Sequence, residues 1–341
     1  ISLDYAVFAL MSPCGQRGVN AIKKSTAQPS LSMETIRKLL IPIPPLKEQK
    51  CISLKLSEAL PLVEKYSKVQ EEQNQLNVEI QYLLKKSILQ EAIQGKLVPQ
   101  IAEEGTAQEL LEQIKTEKEK LVKDGKLKKS ALTDSVIFKG DDNKYYEQVG
   151  KSDKEITEEI AFDLPNGWSW CRLKDICSIF TGATFKKEET VTTKEGVRIL
   201  RGGNISPFEL RIKDDDIFLT KDKVKEDIIL KENDILTPAV TSLENIGKMV
   251  RVNSDMPNTT VGGFVFIIRL YLKNQWLSKY ILYLLSSPFM IDFMKSITNK
   301  SGQAFYNIGK ERLSTALLPI PSLAEQHRIV AQIEKLFEQL R

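Results

Sequence analysis

The chain has 341 residues, 28% of them charged, and a formal net charge of +4 at pH 7. This length suits two or more domains with connections, and the small positive excess permits nucleic-acid binding without arguing for it. No apolar run reaches the roughly 20 residues of a membrane-spanning helix, and we see no secretory signal sequence. We therefore expect a cytoplasmic protein that does not contact membranes.

The cysteine and histidine content argues against a metal centre. Cys14, Cys51, Cys171 and Cys177 include no C-x-x-C pair, and His327 is the only histidine. Because metal sites need clustered ligands, we predict reduced, mostly buried thiols and no metal. We interpret the histidine, at the start of a helix, as a surface or packing residue rather than a general base.

The N-terminal residues are repeated near the other end of the chain. Tyr5–Pro13 reads YAVFALMSP and Tyr280–Pro288 reads YILYLLSSP, while Ile41–Gln49 reads IPIPPLKEQ and Leu318–Gln326 reads LPIPSLAEQ. Both copies run from an aromatic helix ending in Ser-Pro to a Pro-Ile-Pro strap and the start of a long helix. The repeat predicts that the chain begins late in one globular module, as a fragment of a longer two-repeat protein would.

A long, largely exposed helix is predicted over Leu46–Leu97. No Gly or Pro occurs from Leu62 to Gln94, so about 33 residues can run unbroken for roughly 50 Å. We expect Pro61 to kink or divide the helix, because proline removes a backbone donor and clashes with the preceding turn. Gly95 is the expected stop.

Apolar residues recur along this helix at spacings of three and four, as on an amphipathic helix. Polar interruptions at Gln70, Gln73 and Asn77 fit one specific partner better than generic dimerisation. A helix of this length does not cover its own stripe, so a partner is implied. The candidate partner-binding residues are Tyr66, Leu76, Ile80, Leu83, Leu84 and Ile88.

A charged connection follows the long helix. A T-x-x-E capping box at Thr106 opens a helix to about Lys123, which Gly125 should end. The runs Val136–Phe138 and Lys144–Tyr146 flank a Gly-Asp-Asp-Asn segment and suggest a small hairpin.

The pattern then changes to a mixed globular domain with its own core. Strand-like runs come first and two helices, Leu277–Leu285 and Phe289–Ile297, come last, which predicts an α+β fold. Trp168 and Trp170, near the entrance of this domain, are interpreted as packing residues that pin the linker. The strand-like runs are Val197–Leu200, Asp216–Leu219, Asp234–Thr237, Met249–Val252 and Val261–Leu270.

The predicted fold class is thus α+β, with globular domains of mixed strands and helices joined by long coiled-coil-like spacer helices. The predicted divisions are a C-terminal remnant of a first domain (1–45), a spacer helix (46–97), a charged linker with a short helix and hairpin (98–159), a second domain (160–322) and the start of a second spacer helix (323–341).

Several segments resemble the specificity subunits of type I restriction–modification systems. The entry FDLPNGWSWCRLKDI resembles that of a target recognition domain in this family, and the Pro-Ile-Pro strap before a long helix is typical of it. The resemblance covers nearly the whole chain. Its motifs are Phe162–Ile176, TGATF (Thr181–Phe185), ILRGGNI (Ile199–Ile205), NIGKMVRV (Asn245–Val252) and QGKLVPQ (Gln94–Gln100).

The resemblance implies a non-catalytic DNA-recognition subunit. In that family two target recognition domains each read half of a split site in double-stranded DNA, and the paired long helices dock modification (methyltransferase) subunits. Restriction/translocase subunits complete the enzyme. S-adenosylmethionine and ATP with Mg²⁺ are expected on those partners, and no cofactor on this chain. A second specificity chain is a further candidate partner, because only about 45 residues of the first domain precede the spacer helix.

Candidate DNA-contacting residues follow from their chemistry and placement. Cations such as Lys186 and Lys187 suit phosphates, while Arg pairs with guanine and Asn with adenine in the major groove. The alternative is that most are ordinary loop residues. We expect the acidic run Asp214–Asp216 to face solvent, away from DNA. The candidates are Lys186, Lys187, Arg201, Asn204, Thr241, Ser242, Asn245, Lys248, Asn299, Lys300, Gln303 and Tyr306.

Other readings of the sequence remain open. No amino-methyltransferase motif, G-x-G-x-x-G or P-loop is found. A coiled-coil adaptor that binds only protein would keep the helix stripe but lack salt-dependent DNA affinity. A truncated remnant, or half of a split subunit, would need another chain to cover the stripe.

Overall fold

The computed structural model describes residues 1–22, 31–191, 195–301 and 304–340. They form two compact units, Ile1–Ile80 and Gln81–Arg341. In the described ranges the α-helices are α1 (Leu3–Met11), α2 (Pro13–Ile22), α3 (Met33–Ile36), α4 (Leu46–Ile93), α5 (Ala107–Lys123), α6 (Leu173–Ile176), α7 (Gln275–Leu285), α8 (Pro288–Ser296), α9 (Lys310–Ser314) and α10 (Leu323–Gln339).

The strands of the described ranges all lie in the second unit. They are β1 (Ser135–Lys139), β2 (Tyr145–Val149), β3 (Ser152–Glu155), β4 (Ser169–Arg172), β5 (Cys177–Thr181), β6 (Thr190–Val191), β7 (Val197–Leu200), β8 (Ile205–Ser206), β9 (Glu209–Leu210), β10 (Ile217–Leu219), β11 (Ile235–Pro238), β12 (Val240–Thr241), β13 (Val250–Arg251), β14 (Thr259–Val261), β15 (Val265–Leu270), β16 (Thr298–Ser301), β17 (Phe305–Ile308) and β18 (Leu317–Ile320).

The first unit is held by bonds between its first helix and the proline strap. The Tyr5 hydroxyl donates to the carbonyl of Pro42 at 2.9 Å. The Gln49 side chain donates to the carbonyl of Pro44 at 2.7 Å and accepts from the amide of Ser2 at 2.8 Å. These contacts fasten α1 and the strap to the beginning of α4.

Helix α4 is a single α-helix that runs through Pro61, so of the two expected effects, a kink or a division, the division is wrong. Proline in a helix costs about 3 kcal/mol, and the many bonded turns on both sides outweigh that loss. The expected stop is confirmed: Gly95 has a φ of 70°, and the amide of Lys96 donates to the carbonyl of Glu91. This pattern satisfies the last carbonyls of a helix.

The connection after α4 folds as predicted and packs against the domain that follows it. The Thr106 side chain caps α5 by accepting from the Glu109 amide, and the predicted hairpin is extended by β3. Apolar residues of α5, among them Leu110 and Ile114, belong to the main core of the second unit. The charged linker is therefore anchored along one apolar face.

The second unit confirms the α+β fold. Helices α7, α8 and α10 contribute to the same core as the sheet β13-β11-β15-β5. The neighbouring sheet has the order β14-β7-β10-β6, in which β14 is parallel to β7. The run predicted as one strand, Val261–Leu270, is two strands in different sheets, because a Gly262-Gly263-Phe264 turn separates β14 from β15.

The sequence repeat is also a structural repeat. In the second copy the Tyr280 hydroxyl donates to the carbonyl of Pro319 at 2.8 Å, as Tyr5 does to Pro42. The Gln326 side chain donates to the carbonyl of Pro321 at 3.1 Å, as Gln49 does in the first copy. The copies differ in their surroundings: the second strap is strand β18 and pairs with β4.

Candidate nucleic-acid interface

Four segments of the second unit carry the predicted DNA-contacting residues, and backbone hydrogen bonds join them. The amide of Ala183 donates to Val261, and that of Gly262 donates to Leu200, both at 2.8 Å. The amide of Ala239 donates to Phe264 at 2.8 Å, and that of Ile308 donates to Ala239 at 2.9 Å. The Gly262–Phe264 turn thus links the loop after β5, the end of β7, and the sheet β12-β17-β16.

The loop after β5 presents two adjacent cations. Lys186 and Lys187 are exposed at a short helical turn. The Lys186 amide donates to the Glu189 carboxylate at 2.7 Å, and this bond is the main cause that lowers the pKa of Glu189. The turn therefore has a defined backbone, while neither lysine ammonium is needed to hold it.

The two candidates in the loop after β7, Arg201 and Asn204, lie in different environments. Asn204 is 1% exposed; its side-chain carbonyl accepts from the Arg201 amide, and its NH₂ donates to the Arg211 carbonyl and the Asp216 carboxylate. All polar atoms of the Asn204 side chain are bonded inside the protein, so this residue shapes the loop and has no free group for a contact with DNA. Arg201 is exposed, and its pair with Asp215 at 3.3 Å is of the weak solvent-exposed kind.

Asp216 corrects the expectation that the whole acidic run faces solvent. Its carboxylate is buried and accepts from Arg198 and from the Lys213 amide, each at 2.9 Å. Burial acts to raise the pKa of Asp216, but the Lys213 amide, the Asn204 side chain and Arg198 together lower it below its ordinary value. The carboxylate therefore fixes the base of the Arg201 loop.

The remaining candidates lie around the sheet β12-β17-β16. The stretch expected as a loop before α9 is a hairpin of β16 and β17, in which Lys300 lies opposite Tyr306. On the other side of β17, Thr241 of strand β12 also lies opposite Tyr306. Thr241 is buried, whereas Asn299 and Lys300 are exposed. The hairpin was missed because its polar first strand lacks the apolar alternation that marks a strand.

Two candidates beyond β12 bond to each other. The Asn245 side chain donates to the Ser242 hydroxyl at 2.7 Å, and that hydroxyl donates to Glu244 at 2.7 Å. Lys248 is half-buried just beyond them. Gln303 lies outside the described residues.

Sequence reasoning missed Phe264, an exposed aromatic at the centre of these segments. The side chain is 75% exposed. Phe264 lies within the run Val261–Leu270, which was predicted as one strand. Gly262 and Gly263 before it were the signal that could have indicated a turn.

The stripe of α4 is exposed as predicted. Tyr66 is the most exposed of the six candidates, at 70%, and Ile88 is half-buried against the main core. The other four, Leu76, Ile80, Leu83 and Leu84, are 44–55% exposed.

Other sites are not indicated in the part of the chain that the structure describes. It contains no cluster of three or more His, Cys, Asp or Glu residues suited to a metal ion. None of its helices is long and apolar enough to span a membrane. His327 is exposed, and its ring contacts that of Trp276 with 3.9 Å between centroids at an angle of 34°, in keeping with a surface or packing residue. Cys171 and Cys177 are buried, but Cys14 and Cys51 are exposed, so the thiols are less buried than expected.

The tryptophans at the domain entrance pack as predicted. Trp168 is buried and donates its indole N–H to Glu325 at 3.0 Å. Trp170 is buried against Phe162, with 5.1 Å between ring centroids. Trp168 belongs to the same core as Leu110 of the linker, and Trp170 clusters with Ile156 of the linker, so both fasten the linker to the domain.

Known proteins share this sequence pattern. The EcoAI specificity subunit of a type I restriction enzyme from Escherichia coli is 31% identical over 273 residues, covering 75% of this chain and 39% of that protein. The EcoEI specificity subunit from Escherichia coli is 26% identical over 258 residues, covering 75% of this chain and 40% of that protein. The chain thus spans about two fifths of the length of these curated relatives.

A solved structure shares the fold. One, described as the structural basis underlying complex assembly and conformational transition of the type I R-M system, has a TM-score of 0.55 at 19% identity and covers 99% of this chain and 64% of that chain. A sequence model described as the type I restriction modification DNA specificity domain matches residues 6–93 and 165–341, more than half of the chain. The chain therefore belongs to the family of type I restriction–modification DNA specificity domains.

Proposed function

We propose that this chain is a DNA-recognition subunit that reads a short half-site in double-stranded DNA and performs no catalysis itself. The observation that carries the proposal is the convergence of four polar segments on the Gly262–Phe264 turn. Three of these segments carry exposed cations: Lys186 and Lys187, Arg201, and Lys300.

The chemistry of these side chains divides into two tasks. Lysines contact phosphates, which positions a protein on the duplex without reading its sequence. Arg201 and Asn299 are exposed and have the donor and acceptor groups that pair with guanine and adenine edges. The loop that presents Arg201 is held by Asn204 and Asp216, so its backbone is ordered before DNA arrives.

The spacer helix has a separate role in this proposal. The exposed apolar side chains of α4, from Tyr66 to Leu84, dock modification (methyltransferase) subunits, and restriction/translocase subunits join them. S-adenosylmethionine and ATP with Mg²⁺ are bound by these partners, in the cytoplasm. A second specificity chain is a further proposed partner.

Selection from a random duplex library, at near-physiological salt and with or without the modification subunit, tests DNA reading. Enrichment of one short sequence is expected. No enrichment even with the partner would favour a protein-binding adaptor.

Salt dependence identifies the phosphate contacts. Replacing Lys186 and Lys187 together by Ala should weaken binding to all sequences alike and reduce the slope of log affinity against log salt by about 1.8, since each phosphate contact contributes about 0.9. The control pair, Lys128 and Lys129, is also exposed but lies in the connection after α5. An unchanged slope in the first variant would remove these lysines from the interface.

A further inference from the structure

The Phe264 side chain is unusual within its surroundings. The strands on either side of it end and begin with buried residues, Val261 at 0% and Val265 at 1% exposure, while Phe264 itself is 75% exposed. Large aromatic side chains gain from burial. An aromatic held in water between two buried strands is therefore a candidate for a contact made with a ligand.

The turn presents this ring from a fixed backbone. The Val265 amide donates to the Gly262 carbonyl at 3.0 Å, which closes the turn, and the Phe264 carbonyl accepts from the Ala239 amide. A Cβ at Gly263 would lie 2.7 Å from the Thr184 hydroxyl oxygen, so the turn packs closely against the loop after β5. The chain on both sides is pinned, and the ring does not sit on a loose loop.

The segments bonded to this turn carry positive charge. Gly262 bonds to the residue before Arg201, and Ala183 is three residues before Lys186. An exposed apolar ring on a turn whose neighbouring segments carry cations matches a duplex, in which phosphates meet cations and a base step that opens accepts an apolar ring. In these segments, with the loop after β7 taken as far as Asp216, the described residues expose four other large apolar side chains, which are separated along the chain: Phe208, Ile212, Leu243 and Phe305. That is little for the contiguous apolar core of a protein interface.

We propose that Phe264 contacts the bases directly, inserting its ring at a base step of the recognised duplex as an apolar wedge. The inference rests on the proposed function, DNA reading by this domain. Such wedges partly unstack a step and bend the duplex, and the bend brings more of the protein surface onto the DNA. The ring would add to specificity through the deformability of the step that it enters.

The test uses the full chain, alone and with the modification subunit, and a duplex carrying the selected half-site with 2-aminopurine placed at successive positions. Binding of the wild type should raise 2-aminopurine fluorescence at one step. The Phe264→Ala variant should lose that rise and bind about 5- to 150-fold more weakly, as expected for one lost base–aromatic contact. Its salt slope should equal that of the wild type, because no phosphate contact is removed.

Matched variants keep the outcome clear. Phe264→Trp retains a stacking ring and should retain the fluorescence rise. Phe264→Leu keeps apolar bulk without a ring and takes the place of the Ala variant if that one does not fold. Phe138→Ala removes an exposed aromatic from strand β1, outside the four segments, and should change nothing.

The failures are distinguishable. If the wild type selects no duplex, the proposed function fails. If the wild type binds and Phe264→Ala binds equally well with the same fluorescence, the wedge is wrong while DNA reading stands. If Phe264→Ala no longer binds the modification subunit but still binds DNA as the wild type does, Phe264 is a protein contact, and the wedge is also wrong.

Discussion

At the scale of single residues, the two tyrosines of the repeat make the same hydrogen bond in different surroundings. Tyr280 is 1% exposed and Tyr5 is 6% exposed, and each hydroxyl donates to a strap carbonyl. The bond of Tyr280 is buried, whereas that of Tyr5 is only partly buried. A carbonyl that loses its partner is costly where water does not replace the donor.

We therefore expect Tyr280→Phe to destabilise the protein by about 1–3 kcal/mol, the cost of a buried acceptor left unpaired. Tyr5→Phe should cost about 1 kcal/mol or less, because water reaches the freed Pro42 carbonyl more easily. Urea unfolding of both variants measures the difference. Equal losses would show that the two hydroxyls lie in equivalent environments.

For single residues of the site, the sequence predicted the exposed cations correctly but not the buried polar residues. Lys186, Lys187 and Arg201 are exposed as a DNA reader requires, because charged side chains in turns have few ways to be buried. Asn204 and Asp216 form a buried hydrogen-bonded pair that no sequence pattern predicted. Which polar residues of a loop turn inwards depends on the loop conformation, and that is set by contacts distant in sequence.

At the scale of elements, local signals predicted local structure well. The Thr106 N-cap of α5 and the hairpin β1-β2 appear where they were expected, because the residues that cause them are close in sequence. The boundary between β14 and β15 was missed, since a short turn between two apolar runs leaves hydrophobicity almost uninterrupted. The hairpin β16-β17 has a polar first strand, and the pairing of its second strand with β12 holds it in place.

The stripe of α4 gives a prediction at this scale. Replacing Ile80 and Leu84 together by Asp should abolish capture of the modification subunit, because both are exposed, at 44% and 45%, on the apolar stripe. The domain at 160–322 should stay folded, with unchanged circular dichroism and proteolysis.

The matched control replaces Gln75 and Tyr82 together by Asp. Both residues are exposed, and a helical rotation of about 100° per residue puts them on the side opposite Ile80 and Leu84. That variant should still capture the subunit. Loss of capture in both variants, or unfolding of the domain in the first, would contradict a modular spacer helix.

At the scale of the whole molecule, the repeat was readable from sequence because identical tasks keep similar residues at nearly constant spacing. The difference in what surrounds each copy was not readable. In the second copy β18 pairs with β4, and Leu318 and Ile320 are 0% and 1% exposed. In the first copy Ile43, the counterpart of Ile320, is 66% exposed.

Hydrogen exchange should report this contrast. Amides of residues 1–45 should exchange faster than those of their counterparts at 276–322, because few of their side chains are buried and no strand pairs with their strap within the described residues. Mass spectrometry of peptides from both copies in one sample gives an internal comparison. Equal protection in a monomer would mean that another surface of the chain covers the first copy.

The proline content of the strap bears on how this chain behaves at high concentration. Leu40 and Ile43 are exposed, and exposed apolar residues on a segment whose backbone is not paired in a sheet invite other chains to add as strands. Pro42, Pro44 and Pro45 have no amide hydrogen, so an incoming strand finds few donors there. The strap carbonyls of Pro42 and Pro44 are already bonded to Tyr5 and Gln49, so the same residues that build the repeat leave an incoming strand with few donors and few free acceptors.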